Sequence, residues 1–261
     1  MTQLHPVART RHVVDTHAHV GPYFFHMGQD DVNANHRLCA RWGIDLQLVS
    51  HSRGVFHDAA AGNAELARVL EGSDLLRGYV VINARDLVTA SSELERWLQP
   101  GSPFVGVKMH THYANAPISS PQVRDALQLL DDFDTVLLIH TWGADVLELA
   151  RLLEPLRTLR AIAGHMGADR WDLAAEATTH QERLYLEPSC SVALGGQMAH
   201  VMRHAPRQQV LFGTDATLLD PSVAFGQVAA ADLTADELED VMWRNAHRLF
   251  GERLGSALRP V

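Results

Sequence analysis

The sequence predicts an α/β fold, a single (β/α)8 TIM barrel, on the basis of two observations. First, short apolar runs alternate with segments of helical periodicity along the chain, and eight of the runs have the length of a strand. Second, the runs begin roughly 25 to 33 residues apart, about the size of one strand-helix unit, and 261 residues suit one such barrel. A doubly wound open sheet would show the same alternation and stays open as an alternative. Since no linker or low-complexity tract divides the chain, we expect one domain over residues 1–261.

The eight predicted strands are apolar and rich in β-branched residues and leucine, which are common in buried strands. In chain order they cover 13–20, 44–50, 77–83, 104–110, 135–140, 159–164, 184–187 and 209–212. Gly21 and Pro22 break the backbone after the first strand, and the tetrapeptide 51–54 follows the second. The other strands end where the apolar run ends.

The predicted helices fill the intervals between the strands and close the chain. They cover 35–42, 59–70, 91–98, 121–130, 144–156, 171–178, 196–204, 222–231 and 235–250. The first of them ends at Gly43, and the second carries an apolar stripe that ends at Leu70. Pro121 suits the first turn of its helix, where no intrahelical bond to its nitrogen is needed.

Composition and charge narrow the classes of function. Hydrophobic residues make up 46% and charged residues 20% of the chain, which is ordinary for a globular protein with a sizeable core. A net charge of −9 offers no overall attraction to a phosphate backbone, so we expect no nucleic-acid partner. Sixteen histidines are conspicuous, because histidine binds metals and titrates near neutral pH.

The cysteines and the amino-terminal segment indicate a cytoplasmic protein. Cys39 and Cys190 are too few for a disulfide framework and fit a reducing compartment. Residues 1–11 lack the apolar core of a signal peptide, and no apolar stretch reaches the length of a bilayer span. We therefore expect a cytoplasmic location and no membrane partner.

Polar side chains lie at the carboxyl ends of several predicted strands. They are His17 and His19 on the first strand, Lys108 and His110 on the fourth, His140 on the fifth, His165 after the sixth and Asp215 after the eighth. In a barrel the carboxyl ends of all strands surround one axis, and catalytic residues lie there. Residues that are almost 200 positions apart can therefore share one site.

Four of these residues are predicted metal ligands. His17 and His19 are spaced by one, so both face the same side of a strand, about 7 Å apart along the backbone. With His140 and Asp215 they form a set of three imidazoles and one carboxylate, which suits Zn²⁺, with Mn²⁺ or Fe²⁺ as alternatives. The other interpretation is that these groups are unrelated polar residues with ordinary hydrogen bonds.

The motifs at these strand ends resemble a known family. They are Asp15-x-His17-x-His19, Gly106-Val107-Lys108, His140, Gly164-His165-Met166-Gly167, Gly213-Thr214-Asp215 and Asn245-Ala246-x-Arg248-Leu249-Phe250. This ordered set resembles the amidohydrolase superfamily, and within it the amidohydrolase-related (amidohydrolase 2) branch that includes aminocarboxymuconate semialdehyde decarboxylase, resorcylate-type decarboxylases and lactonases. The match extends from about residue 12 to about residue 251.

The resemblance implies a (β/α)8 barrel with one divalent metal, usually zinc. It implies hydrolysis of an ester, lactone or amide, or else nonoxidative decarboxylation of a small carboxylic acid. It also makes a homodimer plausible.

Two residues are predicted to be catalytic. A metal in this site keeps an open position for water and lowers the pKa of that water. We expect Asp215 to accept the proton of the water and later to deliver it to the leaving group. We expect His165 to act beside the metal as an electrophile, an acid or a substrate-orienting group, with a hydrogen-bonded core histidine as the alternative.

The predicted substrate-binding residues indicate an anionic small molecule. Lys108 is expected to face a substrate carboxylate or oxyanion, although in binuclear members of the superfamily a carboxylated lysine on this strand bridges two metals. His110, Tyr23 and Arg53 lie on the same side of the predicted barrel. For these three, a solvent-facing histidine, aromatic packing and a surface salt bridge are the respective alternatives.

The leading functional prediction is a metal-dependent hydrolase that acts on a small, carboxylated ester, lactone or amide with metal-activated water. The alternative is a metal-dependent nonoxidative decarboxylase of a small aromatic or unsaturated carboxylic acid. A noncatalytic sensor on a degenerate barrel is a third option, but the intact ligand set argues against it.

Overall fold

Seven parallel strands form one sheet, in which each strand is hydrogen-bonded to the next in chain order. The structure is a computed structural model that describes residues 10–192 and 194–255. The strands are β1 (Val14–Val20), β2 (Leu46–His51), β3 (Leu76–Ile82), β4 (Phe104–Met109), β5 (Val136–His140), β6 (Arg160–Gly164) and β7 (Leu184–Glu187). The α/β class and the first seven predicted strands are confirmed, with ends that agree within two residues.

Helices connect the strands and follow the last one. They are α1 (Val32–Trp42), α2 (Ser52–Phe56), α3 (Ala59–Glu71), α4 (Leu87–Trp97), α5 (Pro121–Asp132), α6 (Asp145–Leu153), α7 (Trp171–His180), α8 (Gln197–His204), α9 (Ser222–Ala229), α10 (Ala235–Glu239) and α11 (Asn245–Phe250). Short 3₁₀ turns cover His165–Arg170, Arg207–Gln209 and Gly251–Leu254, and a π-helical turn covers Asp240–Arg244. In the described part of the chain, no helix is long and apolar enough to cross a bilayer.

Side-chain caps explain two helix starts that the sequence analysis placed too late. Asp31 accepts a hydrogen bond from the amide of Ala34, so α1 begins at residue 32 rather than 35. Asp86 caps α4 in the same way, through the amide of Thr89. The short helix α2 was not predicted, and the predicted helix 235–250 is divided by the π-helical turn.

Most of the segment considered for a secretion signal, residues 1–9, lies outside the described residues.

The predicted eighth strand, 209–212, is not a strand. Gln209 ends a 3₁₀ turn, and the residues after it make only single bridges, through Val210 to β7 and through Ala216 to β1. The backbone of Asp215 has a φ of 57°, in the left-handed region, and this interrupts extended pairing. Even so, the segment 210–216 donates to Leu186 of β7 and accepts from β1, so it lies between the two outer strands of the sheet.

The core has two parts, one on each face of the sheet. The larger part packs the strands against the surrounding helices. The smaller part contains at least one residue from each of β1 to β6, together with Leu211 and residues of the carboxyl-terminal segment 243–254. Helix α11 therefore covers this second face. Nearer the carboxyl ends of the strands, the residues on this face are polar, such as Lys108 on β4 and His140 on β5.

A register shift in β1 directs the His-x-His pair to this second face. Two residues of β1, Thr16 and His17, lie opposite a single residue of β2, between the paired positions 15 with 47 and 18 with 49. Val14 consequently belongs to the smaller core, whereas Ala18 belongs to the larger one. The shift reverses the alternation, so His17 and His19 face the same interior as Val14.

Candidate metal centre

Three of the four predicted ligands converge on one point. The Nε2 atom of His19 lies 3.1 Å from Oδ1 of Asp215, and the Nε2 atom of His17 lies 3.7 Å from the same oxygen. The ligand atoms of this trio all lie within 4.8 Å of one another, and all three side chains are buried. Two atoms that are each about 2.1 Å from a tetrahedral ion stand about 3.4 Å apart, so these separations suit a shared metal.

The fourth predicted ligand, His140, lies beside this trio. Its ring centroid is 4.7 Å from that of His165, whose own centroid is 5.0 Å from that of His17. The Nε2 atom of His140 is buried and, among the described residues, has no hydrogen-bond partner. A buried polar atom without a partner is costly, and a bound cation would satisfy it.

The buried charges around the centre also fit a cation. Three carboxyl groups, those of Asp15, Glu187 and Asp215, and one ammonium group, that of Lys108, are at most 5% exposed. Burial raises the pKa of Glu187 to about 8 and that of Asp15 to about 6, so a nearby divalent ion would favour the ionised form of each. The residues present thus fit a metal both in donor chemistry and in charge.

Burial sets the protonation states that metal binding needs. It lowers the pKa of His17 well below its ordinary value, and the nearby charge of Lys108 lowers it further. Burial alone would raise the pKa of Asp215, but a hydrogen bond with His19 and the surrounding positive charges hold this pKa below its ordinary value. The imidazole is therefore neutral and the carboxylate ionised, as ligands must be.

Asp15 joins β1 to the segment that carries Asp215. Its carboxylate accepts hydrogen bonds from the side chain of Gln47 at 2.8 Å and from the hydroxyl and amide of Thr214 at 2.6 and 3.0 Å. Burial raises the pKa of Asp15 to about 6, and these donors oppose the rise. Asp15 thus fixes the distance between the His-x-His pair and Asp215.

His165 follows β6 in a conformation that few side chains adopt. Its φ is 67°, and Met166 and Ala168 in the same turn also have positive φ values of 40° and 54°. Such strain is typical of catalytic and ligand-binding segments. The Nδ1 atom of His165 is hydrogen-bonded to the carbonyl of Ser189, so this nitrogen carries the proton and Nε2 is left for the cavity.

Lys108 is fully buried on β4 and contacts the centre directly. Its Nζ atom lies 2.7 Å from Nε2 of His17. Burial lowers the pKa of Lys108 to about 8, while the carboxylates of Asp215 and Glu187 oppose the change. Lys108 is close enough to meet a substrate oxygen at the centre.

A cavity of about 120 Å³ opens over the centre. Its floor is formed by His17, His19, Lys108, His140, His165 and Asp215, and its walls by His110, Tyr23, Val55, Phe56, Tyr113, Trp142, Ser191 and Leu218. The ring of His110 stacks on that of His140, with centroids 4.1 Å apart. A comparable cavity of 150 Å³ in another protein holds one benzene molecule, so this space suits a ligand of about one ring.

The predicted substrate-binding residues thus divide into two groups. Lys108, His110 and Tyr23 line the cavity. Arg53 is not part of the lining, because its guanidinium forms an ion pair with Glu65 at the surface and its side chain is 47% exposed. The structure therefore gives Arg53 the surface salt bridge and does not bring it to the site.

Sequence analysis missed Glu187 and two aromatic wall residues. Glu187 stands at the carboxyl end of β7, directly after an apolar run, so the rule applied to the other strands would have found it. Phe56 lies on the unpredicted helix α2, and Tyr113 lies in the loop after β4. No periodic pattern marks these two aromatic residues.

A parallel α/β sheet with histidines and a carboxylate gathered at the carboxyl ends of its strands is the architecture of a metal-dependent enzyme. A family model described as amidohydrolase matches residues 14–251, and the chain belongs to this family. The predicted family and enzyme class are thereby confirmed, and the family is one of metal-dependent enzymes. No curated protein shows a significant sequence match to the chain.

Solved structures of low sequence identity share the fold. A 5-carboxyvanillate decarboxylase from Sphingomonas paucimobilis is 13% identical with a TM-score of 0.75, over 92% of this chain and 98% of that one. A dihydroxybenzoic acid decarboxylase from a Polaromonas species, with manganese and 2-nitroresorcinol bound, is 15% identical with a TM-score of 0.75, over 95% and 99%. A probable 2-pyrone-4,6-dicarboxylic acid hydrolase from Acinetobacter baumannii, with citric acid bound, is 14% identical with a TM-score of 0.66, over 92% and 99%.

Proposed function

We propose that this protein is a metal-dependent hydrolase of a small anionic ester, lactone or amide. The proposed metal is a single Zn²⁺ ion, held by His17, His19, His140 and Asp215, with Mn²⁺ or Fe²⁺ as alternatives. The observation that carries the proposal is the approach of two imidazole Nε2 atoms to one carboxylate oxygen, at 3.1 and 3.7 Å. Beside them lies the buried Nε2 atom of His140, which has no hydrogen-bond partner within the described part of the chain. Manganese in the Polaromonas structure supports a divalent ion in this fold.

When bound, a divalent ion supplies Lewis acidity, which lowers the pKa of a bound water and polarises a substrate carbonyl. We propose that Asp215 accepts a proton from the attacking water and returns it to the leaving group. His165, with its Nδ1 proton held by a backbone carbonyl, presents the Nε2 lone pair to the substrate. It orients the substrate or transfers to it a proton that Nε2 first accepts. Both residues line the same cavity.

The substrate-binding part of the proposal involves the cavity wall. Among the described residues that line the cavity, Lys108 is the only lysine or arginine, which favours a substrate with one anionic group. We propose that His110 and Tyr23 contact the rest of the substrate. Citric acid in the Acinetobacter hydrolase structure supports an anionic ligand in this fold.

Nonoxidative decarboxylation of a small aromatic or unsaturated carboxylic acid is the second candidate. It is favoured by the aromatic side chains around the cavity, those of Tyr23, Phe56, Tyr113 and Trp142, which suit a flat ring. Of the three similar structures described above, two are decarboxylases of aromatic acids. In this reaction Lys108 would hold the carboxylate of the substrate. Water would be the source of the proton, which Asp215 or His165 would accept and pass to the carbon that loses CO₂.

We also propose the finer architecture that the resemblance implies. The segment 210–216 lies between β7 and β1 and would complete a closed eight-stranded barrel in a single domain over 1–261. A homodimer, a cytoplasmic location and the absence of nucleic-acid and membrane partners remain predictions from the sequence. Size-exclusion chromatography with light scattering measures the oligomeric state.

A substrate panel tests the function. Purified protein with added Zn²⁺ or Mn²⁺ is assayed on lactones for acid release and on hydroxybenzoates for CO₂ release. We expect turnover of one class, abolished by a chelator and restored by metal. Metal-independent turnover, or no turnover of either class by metal-loaded protein, would contradict the proposal.

A further inference from the structure

Glu187 has no role in the proposed reaction, but its carboxylate contacts His17 on the side of the ring opposite to the proposed metal. It ends β7 and is fully buried. Its Oε2 atom lies 2.7 Å from Nδ1 of His17, at hydrogen-bond distance. The nitrogen on the other side of the same ring, Nε2, is the one that faces Asp215.

This contact determines which nitrogen of His17 carries the proton. A carboxylate that accepts from Nδ1 holds the proton there and leaves the lone pair on Nε2. His19 is held differently, because its Nδ1 atom meets the hydroxyl of Ser50 at 2.9 Å. A hydroxyl can donate or accept, so of the two Nδ1 atoms only that of His17 faces a carboxylate.

The surroundings of Glu187 hold its carboxylate in place. The amide of Ser189 donates to Oε1 at 2.6 Å, and the hydroxyl of Ser189 donates to Oε2 at 2.9 Å. A Cβ atom at position 213 would lie 2.3 Å from Oε1, so the carboxylate packs directly on the backbone of Gly213. That glycine lies two residues before Asp215, and Glu187 is therefore fitted to the segment that carries the metal carboxylate.

The same short segment orients the predicted catalytic histidine. The carbonyl of Ser189 accepts a hydrogen bond from Nδ1 of His165. Glu187, two residues earlier in the chain, is the partner of Nδ1 of His17. Pro188 lies between the two and restricts the backbone. One rigid tripeptide at the end of β7 thus sets two imidazole rings.

We propose that Glu187 is a positioning residue of the metal centre, which accepts the Nδ1 proton of His17 so that the Nε2 lone pair faces the metal. This inference rests on the proposed metal site. Outer carboxylates of this kind typically change metal affinity by 10- to 100-fold. Glu187 meets His17 at Nδ1, whereas the proposed metal lies on the Nε2 side of the ring, so this proposal gives Glu187 no role as a ligand or a catalytic residue.

The test compares Glu187→Gln with Glu93→Gln. Glu93 is also buried and accepts two hydrogen bonds, from Asn63 at 2.9 Å and from Trp97 at 2.8 Å, but it lies on α4 outside the cavity lining. Zinc affinity is measured by competition with a chromogenic chelator. We expect Glu187→Gln to weaken binding 10- to 100-fold with one site per chain retained, and Glu93→Gln to change it less than 3-fold.

Nitrogen NMR of the imidazole rings provides a second readout that needs no metal. In the wild-type protein we expect His17 to be protonated at Nδ1, and in Glu187→Gln we expect a mixture of tautomers. Wild-type protein with His17 protonated at Nε2 overturns the inference even if the variant does not fold. Equal zinc affinity in wild type and Glu187→Gln also overturns it, whereas a wild-type protein that binds no metal overturns the proposed function instead.

Discussion

Replacement of His140 by phenylalanine separates two effects on the free energy of unfolding: the destabilisation caused by an empty metal site and the stabilisation caused by metal binding. The ring of His140 stacks with His110 at 4.1 Å and with Trp142 at 5.9 Å, and phenylalanine preserves this stacking. In the metal-free protein the Nε2 atom of His140 is buried and has no hydrogen-bond partner among the residues that the structure describes, which costs about 1–3 kcal/mol. We therefore expect the metal-free variant to be at least as stable as the metal-free wild type.

With metal bound, we expect the wild type to be more stable than His140→Phe. At a free Zn²⁺ concentration about 100 times its dissociation constant, the wild type gains about 2.7 kcal/mol of unfolding free energy, or about 5 to 10 °C in Tm. If loss of one ligand weakens binding about 1000-fold, the variant gains less than about 0.1 kcal/mol at the same concentration.

Scanning calorimetry with and without metal measures both effects. His112→Phe is the matched control, because the exposed ring of His112 lies 4.8 Å from that of His140 and is not a predicted ligand. The control should retain the full metal-induced rise. A His140→Phe variant that retains the same rise would refute the assignment of His140 as a ligand.

Three further predictions concern catalysis and stability. His165→Asn should lower kcat at least 100-fold on the substrate found in the panel, since proton transfer by a positioned group contributes at least this much, and full activity would exclude the catalytic role. Ala168→Gly should raise the free energy of unfolding in urea by about 1 kcal/mol, because the φ of 54° at this position strains any side chain, and a loss of stability would show that no strain is relieved. Asp131→Asn should lower the free energy of unfolding by about 2 kcal/mol, because the carboxylate accepts from the amides of Thr158 and Leu159 at 2.7 and 2.8 Å. Burial raises the pKa of Asp131, but these donors hold it below its ordinary value of 3.8. The stabilisation by Asp131 is therefore present above about pH 4 and lost on further acidification. Urea unfolding across this pH range measures the loss, and an equal loss of stability in wild type and variant would contradict the prediction.

The alternation of strands and helices could be predicted because each strand is buried on both faces and each helix has one apolar stripe. Strand ends agree within two residues for this reason. The eighth strand was wrongly predicted from the apolar character of 209–212, because the left-handed backbone at Asp215 interrupts extended pairing and no local pattern shows it. Likewise, the capping roles of Asp31 and Asp86 become visible only when the helix starts are known.

The candidate site could be located from the sequence because all its groups follow apolar strands. His17 and His19 share one face of β1, as their spacing predicts. The direction of that face depends on a register shift at Thr16 and His17 that no sequence pattern shows. Arg53 was placed on the right side of the sheet, but its nearest partner, Glu65, comes from the following helix and draws it to the surface. Long-range contacts of this kind, like that of Glu187 with His17, follow from tertiary packing and not from local sequence.

Anomalous diffraction at the zinc edge, from crystals grown with Zn²⁺, tests the central claim most directly. We predict one strong peak per chain, within bonding distance of the Nε2 atoms of His17, His19 and His140 and of a carboxylate oxygen of Asp215, with Lys108 unmodified. Two peaks bridged by a carboxylated Lys108, or a peak that lacks any of the four ligands, would contradict the proposed mononuclear centre.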